Sequence, residues 1–290
     1  MREELLRGAY DLHVHTAPDI VPRKIDHVAA ARRCAERGMA GFAIKSHYAM
    51  TADRAEEAAR ACPACRAVAG IVLNTTQGGI NAAAVEYALR VGAKIVWFPT
   101  MDAPEVRPFV MAHAPDLVAM QVTLQEQGIA LPDSSILDEA GQLREAVRDV
   151  LAVAKRHGAV VATGHISHRE CFAVAEEAYR QGVERLVITH ANLPATRYTV
   201  AEQKRLIDKG AIIERSYIVL HEGMIDAETE AREIAAVGPE HVLLSSDLGR
   251  PDAPFFDEGM LLYVNALCGC GVSENDVHRM MAETPAALIR

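Results

Sequence analysis

Tyr10-Asp11-Leu12-His13-Val14-His15 decides how the rest of this 290-residue sequence is read, because it is a short apolar run that ends on two histidines. In a strand successive side chains point to opposite faces, so His13 and His15 share one face and Val14 takes the other. Working outward, seven more short runs rich in Val and Ile follow at residues 41–47, 67–74, 94–100, 159–165, 185–190, 211–216 and 242–247. Runs this short and this apolar are expected of parallel strands covered on both faces. Helix-like segments lie between them at residues 25–37, 52–61, 81–91, 143–156, 170–181, 201–209 and 226–237. Several end on glycine just before the next strand, as at Gly38, Gly92, Gly158, Gly182 and Gly210, where a left-handed cap is easiest for glycine.

Most strand starts fall about 26 to 31 residues apart, the length of one βα unit, and eight units close a barrel. The expectation is an α/β chain, a single (β/α)8 TIM barrel over residues 1–290. One interval is longer. About 65 residues separate the fourth and fifth strand starts, and the excess at residues 101–141 reads as an inserted βα loop. Because it follows the carboxyl end of a strand, it belongs to the face where barrel active sites sit and is placed to cover one.

Composition narrows the function classes. Half of the residues are hydrophobic and 24% are charged, the balance of a soluble protein that buries a large core. A net charge of −9 argues against a nucleic-acid partner, since phosphate binding draws on clustered Lys and Arg. No apolar stretch approaches a membrane span and residues 1–8 have no secretory apolar region, so a cytoplasmic protein with no membrane partner is expected. The six cysteines then read as reduced thiols. Cys62 and Cys65 with Cys268 and Cys270 match no compact zinc spacing, and a structural zinc there is disfavoured. The expected partner is a small-molecule substrate. The oligomeric state is open, with a homo-oligomer paired through helices or the inserted loop as one option.

The chemistry gathers at the strand ends. Besides His13 and His15, the fifth run closes on His165, the sixth on His190 and the eighth on Asp247. Each alone reads as a satisfied histidine or a helix cap. Five ligand-type residues on four strand ends of one barrel favour a metal site.

This pattern resembles the amidohydrolase superfamily, with HxH on strand one, a single His on strands five and six, and Asp on strand eight. Ala162-Thr163-Gly164-His165 and Thr189-His190-Ala191-Asn192 look most like its phosphotriesterase-like and TatD-like branches, and more closely like uncharacterised amidohydrolase-related proteins. The resemblance implies that His13, His15 and Asp247 hold one divalent metal while His165 and His190 hold a second or orient substrate. It also implies that Asp247 takes the proton of the attacking water. Neither a serine-hydrolase elbow nor a phosphate-binding loop competes with this reading.

One departure stands out. Binuclear members carry a bridging carboxylated lysine or a glutamate on strand four, but here that strand ends Trp97-Phe98-Pro99-Thr100. Lys45 on the second strand is the alternative: buried near the rim it either forms a bridging carbamate or stays an ammonium beside a single metal. His47, on the same face, is a candidate ligand, proton donor or support. Glu214 and Asn74 also bring polar groups near the rim. Arg23, Arg197 and Arg250 lie on loops one, six and eight, where they would clamp a carboxylate or phosphate if the substrate is anionic.

The expected activity is hydrolysis of an amide, lactone or phosphoester bond in a small substrate by metal-activated water, with Asp247, His190 and His47 catalytic. One or two ions are expected, Zn first, with Mn, Fe or Ni also compatible. Deamination, metal-assisted decarboxylation and a non-catalytic metal-binding barrel are the rival readings.

Overall fold

The computed structural model describes residues 2–131 and 134–290; residues 132 and 133, within the expected inserted loop, lie outside the described residues, as does residue 1. Each apolar run forms a short strand: β1 (Tyr10–Val14), β2 (Gly41–Ile44), β3 (Arg66–Val72), β4 (Ala93–Trp97), β5 (Val160–Ala162), β6 (Leu186–Ile188), β7 (Ala211–Ser216) and β8 (Val242–Ser245). They pair in parallel in chain order as one eight-stranded sheet. The sheet closes on itself where Val14 bridges Leu248 in parallel. At that seam Asp247 N–H donates to the His13 carbonyl (2.9 Å) and His15 N–H donates to the Leu248 carbonyl (2.9 Å). The architecture is a (β/α)8 barrel, as the spacing implied.

The helices between strands are α1 (His27–Glu36), α2 (Ala52–Ala61), α3 (Ala82–Arg90), α4 (Arg107–His113), α5 (Ala119–Glu126), α6 (Glu145–His157) and α7 (His168–Gln181). They continue with α8 (Val200–Ile207), α9 (Tyr217–His221), α10 (Ala227–Val237), α11 (Phe256–Gly269), α12 (Glu274–His278) and α13 (Thr284–Leu288). Their starts are chemically marked. Asp26 caps α1 by accepting Ala29 N–H, and Ser167 and Thr199 form reciprocal boxes with Glu170 and Glu202. Gly158 and Gly182 end α6 and α7 in the left-handed conformation at φ 59° and 74°.

Two cores follow from this layering. A large one lies between barrel and helices and includes Val14, Phe42, Ile44, Val161, Ile188 and Leu244. A second fills the barrel interior with Leu12, Val68, Val72, Ile95, Trp97, Val187 and Leu243, closed by Leu288 and Ile289 from the chain end. Arg66, at the start of β3, bonds the Ile289 carbonyl, which ties that plug to the amino ends of the strands.

The structure departs from the sequence expectation in two places. Several strands stop short of the ligand-type residues, because the backbone turns there: His190 and Asp247 have φ of 52° and 53°, and Gly164 has 62°. The insertion also carries helices α4 and α5. Met101, Val106, Val110 and Val118 give it a small core of its own, packed by Tyr48, Leu117 and Ala195. Buried Asp102 anchors it, accepting from Gln121 Nε2 (2.9 Å) and from Thr75 N–H.

A Cβ at Gly164 would meet the Phe98 carbonyl oxygen at 2.2 Å, whereas one at Gly158 would meet nothing within 4 Å. Gly164→Ala should therefore lower unfolding free energy by at least about 2 kcal/mol, and Gly158→Ala by only about 1 kcal/mol. Urea denaturation of both variants checks this, and equal losses would show that the close approach to Phe98 is not what requires glycine.

Candidate metal centre

The seam between β1 and β8 brings the first ligand atoms together. His13 Nε2 lies 2.9 Å and His15 Nε2 3.0 Å from Asp247 Oδ1, and His190 Nε2 lies 3.6 Å from Asp247 Oδ2. Lys45 Nζ, from just past β2, is 2.8 Å from His13 Nε2. Separations of about 3 Å are the edges of a coordination shell whose metal bonds measure roughly 2.0–2.2 Å. Among the described residues, the groups whose possible ligand atoms all lie within 4.8 Å of one another are His13, His15 and Asp247, and His13, His190 and Glu214. Neither includes a cysteine, and the cysteines are free thiols.

Each histidine is aimed by a partner behind it. His13 Nδ1–H donates to Glu214 Oε1 (2.8 Å), which also accepts from Ser245 Oγ (2.8 Å). A carboxylate behind an imidazole fixes the tautomer and raises the basicity of the opposite nitrogen. Along β7 the alternation turns Glu214 and Ser216 inward and Arg215 outward. Ser216 Oγ holds His190 Nδ1 at 2.8 Å, and Ser216 is in turn held by Asn192, which donates to buried Glu230 (2.9 Å). The buried Arg215 guanidinium neutralises that carboxylate, at 2.9 Å.

His47 is held differently. Asn74 Nδ2 donates to Thr100 Oγ1 (2.7 Å), and Thr100 Oγ1 lies 2.9 Å from His47 Nδ1. A buried hydroxyl needs an acceptor for its proton, and His47 Nδ1 fills that need. The ring proton then sits on Nε2, so His47 presents an N–H donor and not a ligand lone pair.

Burial dominates the electrostatics. It pushes His15 down to about 3 and His190 to about 4, and holds His47 and His165 well below the usual imidazole range. His13 is the exception: burial opposes its charge, but Asp247 and Glu214 raise it to about 9. Burial lowers Lys45 to about 8. Asp247 stays well below the usual carboxylate range, because the attraction of His13 and His190 outweighs burial. Both ring nitrogens of buried His165, and Nδ1 of His15, have no hydrogen-bond partner among the described residues. Buried polar atoms rarely go unpaired, so neutral imidazoles left open beside an ionised carboxylate fit a divalent cation.

These groups form one end of a cavity of about 170 Å³, lined by His15, His47, His165, His190 and Asp247 and by Arg23 and Arg250. Met101, Val106, Phe109, Val110 and Leu117 from the insertion roof it. A larger open cleft of about 820 Å³ lies elsewhere, beside α10 and the turn after α11, and holds none of these histidines.

The structure does not assemble the expected three-arginine clamp. Arg197 is absent from the cavity wall and donates to Glu233 (2.6 Å). Arg23 pairs with buried Asp19 (2.7 Å), and Arg250 with Asp252 (2.8 Å) and Glu222 (3.3 Å). Glu214 and Asn74 do reach the centre, as supports of His13 and His47. Ser216, Thr100 and Asp11 went unread in the sequence. Asp11 Oδ1 accepts the N–H groups of His13 (3.1 Å) and Ser246 (3.0 Å), and burial raises its carboxyl to about 7. Alternation from Glu214 marked Ser216, whereas nothing local marked Thr100.

A family model described as a family of unknown function (DUF6282) matches residues 8–214. No curated protein matches the chain. Among solved structures, an amidohydrolase from Pseudomonas aeruginosa has a TM-score of 0.65 at 12% identity, over 99% of this chain and 97% of that one. An organophosphorus hydrolase from Deinococcus radiodurans has a TM-score of 0.58 at 16% identity, over 98% and 92%. A TatD homolog from Escherichia coli has 0.57 at 14% identity, over 98% of each chain. At such identities the likeness establishes the barrel, the same fold that the sequence resemblance implied.

Glu214→Gln keeps a hydrogen-bonding group behind His13 and removes its charge. Divalent-metal affinity should fall by roughly 10- to 100-fold, read by competition with a chromogenic chelator. Unchanged affinity would show that the Glu214 charge does not act on the ion through His13.

Proposed function

The chain belongs to the family of unknown function DUF6282, and we propose that it is a metal-dependent hydrolase of a small substrate bearing an amide, lactone or phosphoester bond. The observation that carries this is the approach of His13 Nε2 and His15 Nε2 to Asp247 Oδ1 within 3.0 Å, beside a buried His165 with no hydrogen-bond partner among the described residues. His13, His15 and Asp247 would hold the ion, with His165 and His190 across the cavity. A divalent cation there, Zn first and Mn, Fe or Ni as alternatives, supplies Lewis acidity that polarises the scissile oxygen and acidifies water.

The chain's own groups do the rest. Asp247, ionised and 19% exposed toward the cavity, accepts the proton of the attacking water through the oxygen that faces His190. His190, kept in orientation by Ser216, guides that carboxylate. His47 donates its Nε2–H to the oxygen that gains charge. Lys45, carboxylated by CO2, would be the group to bridge two ions; with one ion it would stay an ammonium beside His13. Net charge −9 disfavours a nucleic-acid partner, and free thiols suit the cytoplasm. No described helix is long and apolar enough to cross a membrane.

Elemental analysis of protein purified without chelator should find at least one divalent ion per chain. Asp247→Asn should cut hydrolysis of a responsive ester, lactone or phosphoester by about 10²- to 10⁴-fold. A protein that holds no metal and hydrolyses equally well in chelator would sink the proposal.

A further inference from the structure

We propose that the substrate is a small uncharged ester, lactone or amide with an apolar body, which rests on the hydrolase reading above and narrows it. Much of the cavity wall beyond the histidines is apolar, with Met101, Val106, Phe109, Val110, Leu193 and Met224 lining the space beside Arg23, Glu222 and Arg250. Its volume of about 170 Å³ falls below the roughly 300–1,000 Å³ of sites for drug-sized ligands, so the body is small.

Charge at the wall points the same way. Arg23 is buried, its side chain 3% exposed, and Asp19 beside it is 1% exposed. A substrate anion on Arg23 would share one guanidinium with a carboxylate that water barely reaches, an arrangement that desolvation makes costly. At the mouth Arg250 faces two carboxylates, Asp252 and Glu222, so that corner carries excess negative charge. The net charge of −9 adds a field that repels anions. Both Nε and Nη2 of Arg23 lie 2.7 Å from Asp19 Oδ2, so the pair is closed on itself. A neutral ester, lactone or amide brings no charge to this wall and leaves the pair intact.

The test uses the metal-loaded full chain and a series of hydroxamates measured by titration calorimetry. Acetohydroxamate, butanohydroxamate and hexanohydroxamate share one metal-binding head and differ in apolar length; adipic monohydroxamate has the length of the last with a carboxylate end. Affinity should rise about threefold to fourfold per methylene until the cavity is filled, and the carboxylate-ended compound should bind at least tenfold more weakly than hexanohydroxamate. Phe109→Ala should weaken hexanohydroxamate severalfold and leave acetohydroxamate unchanged. Asp19→Asn, which frees the Arg23 charge, should narrow the gap between the two long compounds. Metal uptake with equal or tighter binding of the carboxylate-ended compound overturns this inference alone. A chain that takes up no divalent ion and binds no hydroxamate overturns the hydrolase reading with it.

Discussion

The hydrogen bond from Asp247 N–H to the His13 carbonyl closes the barrel, and the geometry of the metal centre depends on it. It sets the register between the first and last strands, and that register decides whether two imidazoles and a carboxylate face one another. Because strand side chains alternate, a slip of one residue would turn His13 and His15 away from the cavity. Asp11 reinforces the same seam by accepting N–H groups from both sides of it. Barrel closure and ligand convergence are therefore one event.

The centre is also expensive to build. His190 and Asp247 adopt left-handed backbone conformations that cost a non-glycine residue about 1–3 kcal/mol each. Several ionisable side chains are buried around them, and the fold offsets their desolvation with pairs: Glu214 with His13, and Arg215 with Glu230 and Glu233. The second set lies on the outer face of the barrel wall, yet through Asn192 and Ser216 it reaches His190. Orientation at the centre is thus upheld by charges on the far side of the barrel wall.

The barrel was legible because its evidence is periodic: eight apolar runs at a regular spacing, glycines at helix ends and polar residues at strand ends. His13, His15, His165, His190 and Asp247 were legible for the same reason, since strand termini share a rim. Lys45 and His47 followed from alternation on the second strand. What local pattern does not encode is long-range pairing. The partner of Arg197 is Glu233 and that of Arg23 is Asp19, so charges that looked available as an anion clamp are neutralised. The helices of the insertion were hidden because their small core needs Tyr48 and Ala195 from distant loops.

The plug formed by Leu288 and Ile289 bears on how the protein is born. These residues leave the ribosome after all eight strands, and until they do the barrel interior has an open apolar end. His15 and Asp247, 232 residues apart, meet only after the eighth strand exists. A nascent or truncated chain thus has imidazoles without their carboxylate, and the ability to hold an ion arrives together with the finished fold.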